Sequence, residues 1–239
     1  MFQTVRHWWG TGRGKVTARL FAFEFLVVVA GVLTAQALAN WVGDRAEARA
    51  VGEEDKRVRY EIGRANQTAQ IWEAALPCLT ARVEDVARKA ATGAAIESTE
   101  LKVPRFLGYT VEPIPPDMNR EFHDRLGNDR VDNYAVIATV TESVVNSYRD
   151  VRSEWDGFAL LDPALGPPSA GDRAAVRNAA VQIRSQLDLI RTSTALIRGT
   201  ADGLGIPPIT SDAEFGSVTP VSNCAEIWRT GRIWREAGR

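Results

Sequence analysis

Three features of the 239-residue sequence predict a mainly α protein, in which one N-terminal transmembrane helix continues into a long helix and an antiparallel helical bundle lies outside the membrane. From Leu20 to Leu38 there is one acid, one amide and no base. From Val58 to Ala90 a seam of apolar residues recurs in alternating steps of 4 and 3, and two later stretches carry seams with steps of 3 and 4 between Pro- and Gly-rich connectors. A run of about 20 apolar residues rising 1.5 Å each matches a ~30 Å hydrocarbon layer, whereas a narrow seam of period 3.5 needs a protein partner.

The first element is the span, Leu20 to Trp41, between a basic tail (1–19) and an outer region (42–239). A cleaved signal peptide is the alternative, and "AQA" at Ala35 to Ala37 fits its small-x-small exit. The length of the apolar run and the interfacial pair Asn40 and Trp41 favour a retained anchor. Trp8 and Trp9 in "VRHWWG" are placed at the opposite interface, with the bases of the tail facing anionic lipid. Basic residues flank the span on both sides, so charge alone discriminates orientation weakly. Cys78 and Cys224 are the only cysteines, which suits one disulfide in an oxidising compartment or two buried thiols. With the short tail, this favours a cytoplasmic N-terminus and a periplasmic outer domain in a bacterial inner membrane. The bias of 25 Arg to 4 Lys and the abundance of Ala suit a GC-rich bacterial genome.

The second element is a long helix with the seam Val58, Ile62, Ala65, Ala69, Trp72, Leu76, Leu79, Val83, Val86 and Ala90, ending at Gly93. Pro77 removes a backbone donor, so a kink or break is expected near Leu76. A short helix is expected over 116–127. A further helix carries Ile137, Val140, Val144, Tyr148, Val151, Trp155 and Phe158, with Asn128 or Asp129 as cap. Another carries Val176, Ala180, Ile183, Leu187, Ile190, Thr194 and Ile197, entered through "SAGD" and closed near Gly203 or Gly205. Segments 103–117 and 205–220 read as ordered loops with strand-like pieces, and 222–236 as a last helix capped by Ser222 or Asn223. If the three long helices alternate in direction, Cys78 and Cys224 come to the same end, and a bridge between them is geometrically reasonable.

Function classes narrow quickly. A formal charge of -1 gives no electrostatic footprint for nucleic acid. The two histidines, His7 and His123, have no metal-ligand spacing, and the sequence has no nucleophile elbow or phosphate loop. "GTGRG" at Gly10 to Gly14 lacks a βαβ context and reads as a flexible basic linker. The expectation is therefore a non-enzyme with no catalytic, cofactor-binding or metal residues. Trp72, Trp155, Trp228 and Trp234, with Tyr134, Tyr148 and Phe158, suggest a second possibility, a periplasmic small-molecule sensor or binding module with an aromatic-lined pocket. Core packing is the plainer reading of those rings.

Glu24 carries the sharpest inference. At 100° per residue, Gly31 and Ala35 each fall about 20° from Glu24, and Ala39 follows on the same stripe. Small residues at every fourth position let another helix approach closely, and an acid there is directed at the same neighbour. Snorkelling to the cytoplasmic surface, or protonation, is the alternative. The residues "FEFLVVVAGVLTAQALANW" resemble the opening of an uncharacterised bacterial family of single-pass membrane proteins. In that family a Glu-bearing span of the form E-[FIL]-L-V-V-x-G-V-L-x-A, ending in Asn-Trp, precedes a variable helical region. Glu24, Phe25, Leu26, Val27, Val28, Gly31, Val32, Leu33, Ala35, Asn40 and Trp41 carry the resemblance, and Ala39 stands where an amide or acid is usual. The resemblance implies an envelope protein of unassigned function, with no catalytic residues to carry over. The expected role is an accessory or scaffold subunit of an envelope complex, contacting lipid and either other integral membrane subunits or its own copies.

Overall fold

The computed structural model describes residues 13–212 and 216–236. The chain divides into two compact units, Met1–Gly52 and Glu53–Arg239. Helix α1 is assigned over Arg13–Thr92. In the first unit its described residues are helical throughout, and an 18-residue window of mean hydropathy 2.0 contains no buried residue. One helix long and apolar enough to cross a membrane is thus present near the N-terminus, compatible with a single-pass membrane protein.

The second unit is a helical bundle. It comprises the α1 residues from Glu53 onward, α2 (Asn119–Leu126), α3 (Asn128–Asp156), α4 (Ala170–Gly203) and α5 (Cys224–Thr230), with short 3₁₀ turns between α3 and α4. Every residue of the α1 seam from Val58 to Ala90 is buried, as is the whole α4 seam. On α3 the seam is buried except that Val140 and Tyr148 are half-covered. Burial of these stripes supplies the bulk of the driving force, since none of the helices could hold a narrow apolar face in water alone.

The helix directions differ from simple alternation. Asp55 meets Tyr134 and Trp72 meets Tyr148, so α3 runs parallel to α1. Glu84 pairs with Arg184 and Glu73 with Arg198, so α4 runs antiparallel to α1. The connector after α1 explains this. It descends beside α1, with Glu100 at Lys89, Leu107 at Trp72 and Glu112 at Glu61, and returns the chain to its starting end before α3 begins. After α4, a second extended segment starts at the same end. Asn66 and Gln67 donate from α1 to the carbonyls of Ile206 and Val218, and the segment climbs to Cys224. Cys78 and Cys224 are bonded, with Cα atoms 5.2 Å apart across a sequence separation of 146. The pairing is as expected, but the extended tail makes the ascent rather than a helix.

Local signals explain most ends. Ser169 and Asp172 close a reciprocal capping box on α4, and Asn223 caps α5 through the amide of Glu226. Gly93 and Gly205 take positive φ just past α1 and α4. Pro77 does not break α1, because the buried contacts on both sides of it hold the helix in register. The expected cap on α3 is replaced: Gly127 precedes the helix, and Asn128 instead pairs its side chain with His123 Nδ1 at 3.0 Å. Helix α2 begins at Asn119, later than the expected start, after a turn through Pro115 and Pro116. The segment expected as a last helix stops at Gly231, whose φ of 66° is left-handed. Beyond it, strand β3 (Trp234–Glu236) pairs antiparallel with β2 (Gly216–Pro220), which pairs in turn with β1 (Ser211–Asp212).

Candidate functional site

Within the first unit, the apolar residues point outward in every direction. Phe21, Phe23 and Leu26 are each at least 65% exposed, and Leu33, Leu38 and Trp41 are more than half exposed. A helix apolar around its whole circumference has no face to give to water and suits a lipid solvent. Thr34 does not disturb this, because its hydroxyl donates to the carbonyl of Ala30 at 2.8 Å. Glu24, Gly31, Ala35 and Ala39 are all exposed, and a Cβ built on Gly31 would meet no atom within 4 Å. The stripe therefore offers a smooth, close-approach surface with a carboxyl at one end. Trp41 closes the segment, with the Arg45 guanidinium 5.0 Å from its ring centroid. That pairing of an aromatic and a base suits an interfacial position. Trp8, Trp9 and His7 lie outside the described residues.

In the second unit, Trp72, Trp155, Tyr134 and Phe158 are buried in the core, and Tyr148, Trp228 and Trp234 are half-buried against it. Trp72 is fully buried, donates its indole N–H to the carbonyl of Leu107 at 2.8 Å, and lies 5.2 Å from Phe106 and 6.3 Å from Tyr148. Trp155 donates to the carbonyl of Leu101 and packs on Phe158 and Trp228. Arg82 lies 4.3 Å above Trp228, and Arg232 lies over Trp234. The space beside Trp72 amounts to about 10 Å³, too little for any molecule beyond one water. Two larger clefts lie elsewhere in this unit. One of about 500 Å³ is bounded by Ile96, Leu161 and Pro163, with Lys89 and Arg173 at its edge. Both bases are engaged there, Lys89 by Glu100 and Asp85, and Arg173 by the carbonyl of Pro168. The other, of about 250 Å³, adjoins Tyr134.

Charged clusters that sequence reasoning did not single out also appear. Tyr134 donates to Asp55 at 2.7 Å and accepts from Arg130 at 2.8 Å, and burial holds its phenol above the ordinary value. Arg57 is clasped by Glu54 and Glu61, whose hydrogen bonds hold its guanidinium firmly protonated. Glu100, receiving hydrogen bonds from Lys89 and from the Glu97 amide, sits below the usual carboxylate range. The i,i+3 and i,i+4 spacings of Glu54, Arg57 and Glu61 are a readable signal. The Asp55 to Tyr134 link spans elements and leaves no local trace. Among the described residues, no group of three His, Cys, Asp or Glu side chains is placed to hold a metal. No protein family, curated protein or solved structure matches the chain.

Proposed function

We propose that this is a non-enzymatic, single-pass protein of a bacterial inner membrane that serves as an accessory or scaffold subunit of an envelope complex. Its N-terminus is cytoplasmic and its helical bundle periplasmic. It docks through the stripe of Glu24, Gly31, Ala35 and Ala39 on other integral membrane subunits or on its own copies. The observation that carries this reading is an acid retained on a helix whose apolar residues are exposed on every side. A carboxylate facing hydrocarbon costs up to about 2.5–3.5 kcal/mol at mid-bilayer and less near the surface, so its place beside small residues favours a protein neighbour. The Cys78–Cys224 bond supports an oxidising compartment for the second unit, and the resemblance of residues 24–41 to a single-pass envelope family points the same way.

Isolation from native membranes in a gentle detergent tests the reading. The expected result is a co-migrating integral membrane protein or a second copy, lost on Glu24→Ala and on Gly31→Leu without loss of the chain from the membrane. A lone chain, indifferent to both substitutions, contradicts it.

A further inference from the structure

The cleft of about 250 Å³ in the second unit combines apolar walls with a charge imbalance at its rim. Its accessible apolar lining comes from Pro113, Ile114, Pro116 and Ala135, with the buried Val58 and Val131 behind them. Tyr134 contributes its ring, while its hydroxyl is turned to Asp55 and Arg130. The other polar side chains that line it are Glu112 and Asn119.

Glu112 belongs to a cluster in which one guanidinium meets three carboxylates. Arg57 lies 2.5 Å from Glu54, in direct contact with Glu61, and 3.5 Å from Glu112. Two negative charges of that cluster remain uncompensated by Arg57. Glu54 and Glu61 are largely covered, whereas the Glu112 side chain is 78% exposed, so Glu112 is the carboxylate of the cluster that the cleft presents. The main chain at Glu112 is anchored to α1, because its amide donates to Glu61 Oε2 at 2.8 Å.

From this geometry we infer that the cleft binds a small organic ammonium with a short apolar body. The methylenes or ring lie against Pro113, Ile114 and Pro116, and the cation donates to the Glu112 carboxylate with the Asn119 amide oxygen alongside. Charge complementarity selects the cation over a neutral or anionic molecule of the same shape. A volume of about eight waters limits the occupant to something smaller than a drug-sized ligand. This site is separate from the membrane stripe and stands or falls independently of it.

The test uses the full chain in nanodiscs of neutral phosphatidylcholine, with cyclohexylammonium as probe and cyclohexanol as its uncharged counterpart, followed by calorimetry. Ala135 also lines the cleft and is exposed, so Ala135→Leu fills the space without disturbing the core. The expected result is saturable binding of the ammonium, abolished by Ala135→Leu and weakened about two- to fivefold by Glu112→Gln, the range of one exposed ion pair. Asn119→Asp tightens it, and cyclohexanol does not compete. Three results overturn the assignment: no saturable binding, equal binding of the alcohol, or binding unchanged in Ala135→Leu.

Discussion

Helix α1 carries two apolar regions that solve opposite problems. Between Leu20 and Val42 almost every residue is apolar and nearly all are exposed, whereas between Val58 and Ala90 the larger apolar side chains gather on a buried face, with Tyr60 an exposed exception. The polar residues differ as well. In the first region one acid sits among apolar neighbours. In the second, charged residues flank the seam and pair across helices, as Glu73 does with Arg198. The distribution of apolar residues around the axis, more than their number, therefore separates a surface fitted to lipid from one fitted to protein.

Mutation of matched residues sharpens that difference most. Trp72→Ala removes a fully buried ring and orphans the carbonyl of Leu107, so the second unit loses about 3–5 kcal/mol in chemical denaturation. Leu33→Ala, in the exposed region, leaves that unfolding transition where it was. A loss of similar size at Leu33 breaks the distinction.

The disulfide follows in size. Its closure across a separation of 146 residues stabilises by up to about 5 kcal/mol in the chain-entropy model, with about 2–4 the usual yield. Cys224→Ser is expected to lower the urea midpoint by the corresponding amount and to expose the segment after Ile206 to protease first. Helix ends contribute less. Ser169→Ala removes half of the capping box on α4 and costs about 1 kcal/mol, read from the same denaturation midpoint.

The smallest effect is a pH dependence. The Glu100 carboxyl lies below its ordinary 4.5 because Lys89 and the Glu97 amide donate to it. The folded chain binds that proton more weakly than the unfolded chain, so the stabilisation is present above about pH 4.5 and fades as pH falls through the lowered value. The pair is partly exposed, which limits it to under about 1 kcal/mol. Glu100→Gln should be less stable than the native chain at pH 7, with the gap closing as pH falls through the lowered value of Glu100.

The helices were legible because their signals are local. The seam beginning at Val58 and Ile62, the "SAGD" entry and Gly205 each act within a few residues, and each appears where the pattern places it. Direction was not legible. That α3 runs parallel to α1 depends on the descending connector, whose anchors, Leu107 on Trp72 and the Glu112 amide on Glu61, lie 35 and 51 residues apart in sequence. The strand at Trp234 was hidden for a related reason, since its partner at Pro220 is what makes it extended. For the proposed contact stripe, placing Glu24, Gly31 and Ala35 on one side of the helix needed nothing beyond helix geometry. The cleft at Glu112 required residues from three separate segments and left no motif behind.

The central claim is that one side of the span meets protein and the other meets lipid. Photo-crosslinking in native membranes, with single probes placed at Gly31 and Ala35 on the Glu24 side and at Leu26 and Leu33 on the opposite side, tests it most directly. The account predicts protein adducts from Gly31 and Ala35, diminished by Glu24→Ala, and lipid adducts alone from Leu26 and Leu33. Protein adducts of equal yield from all four positions, or from none, would contradict it.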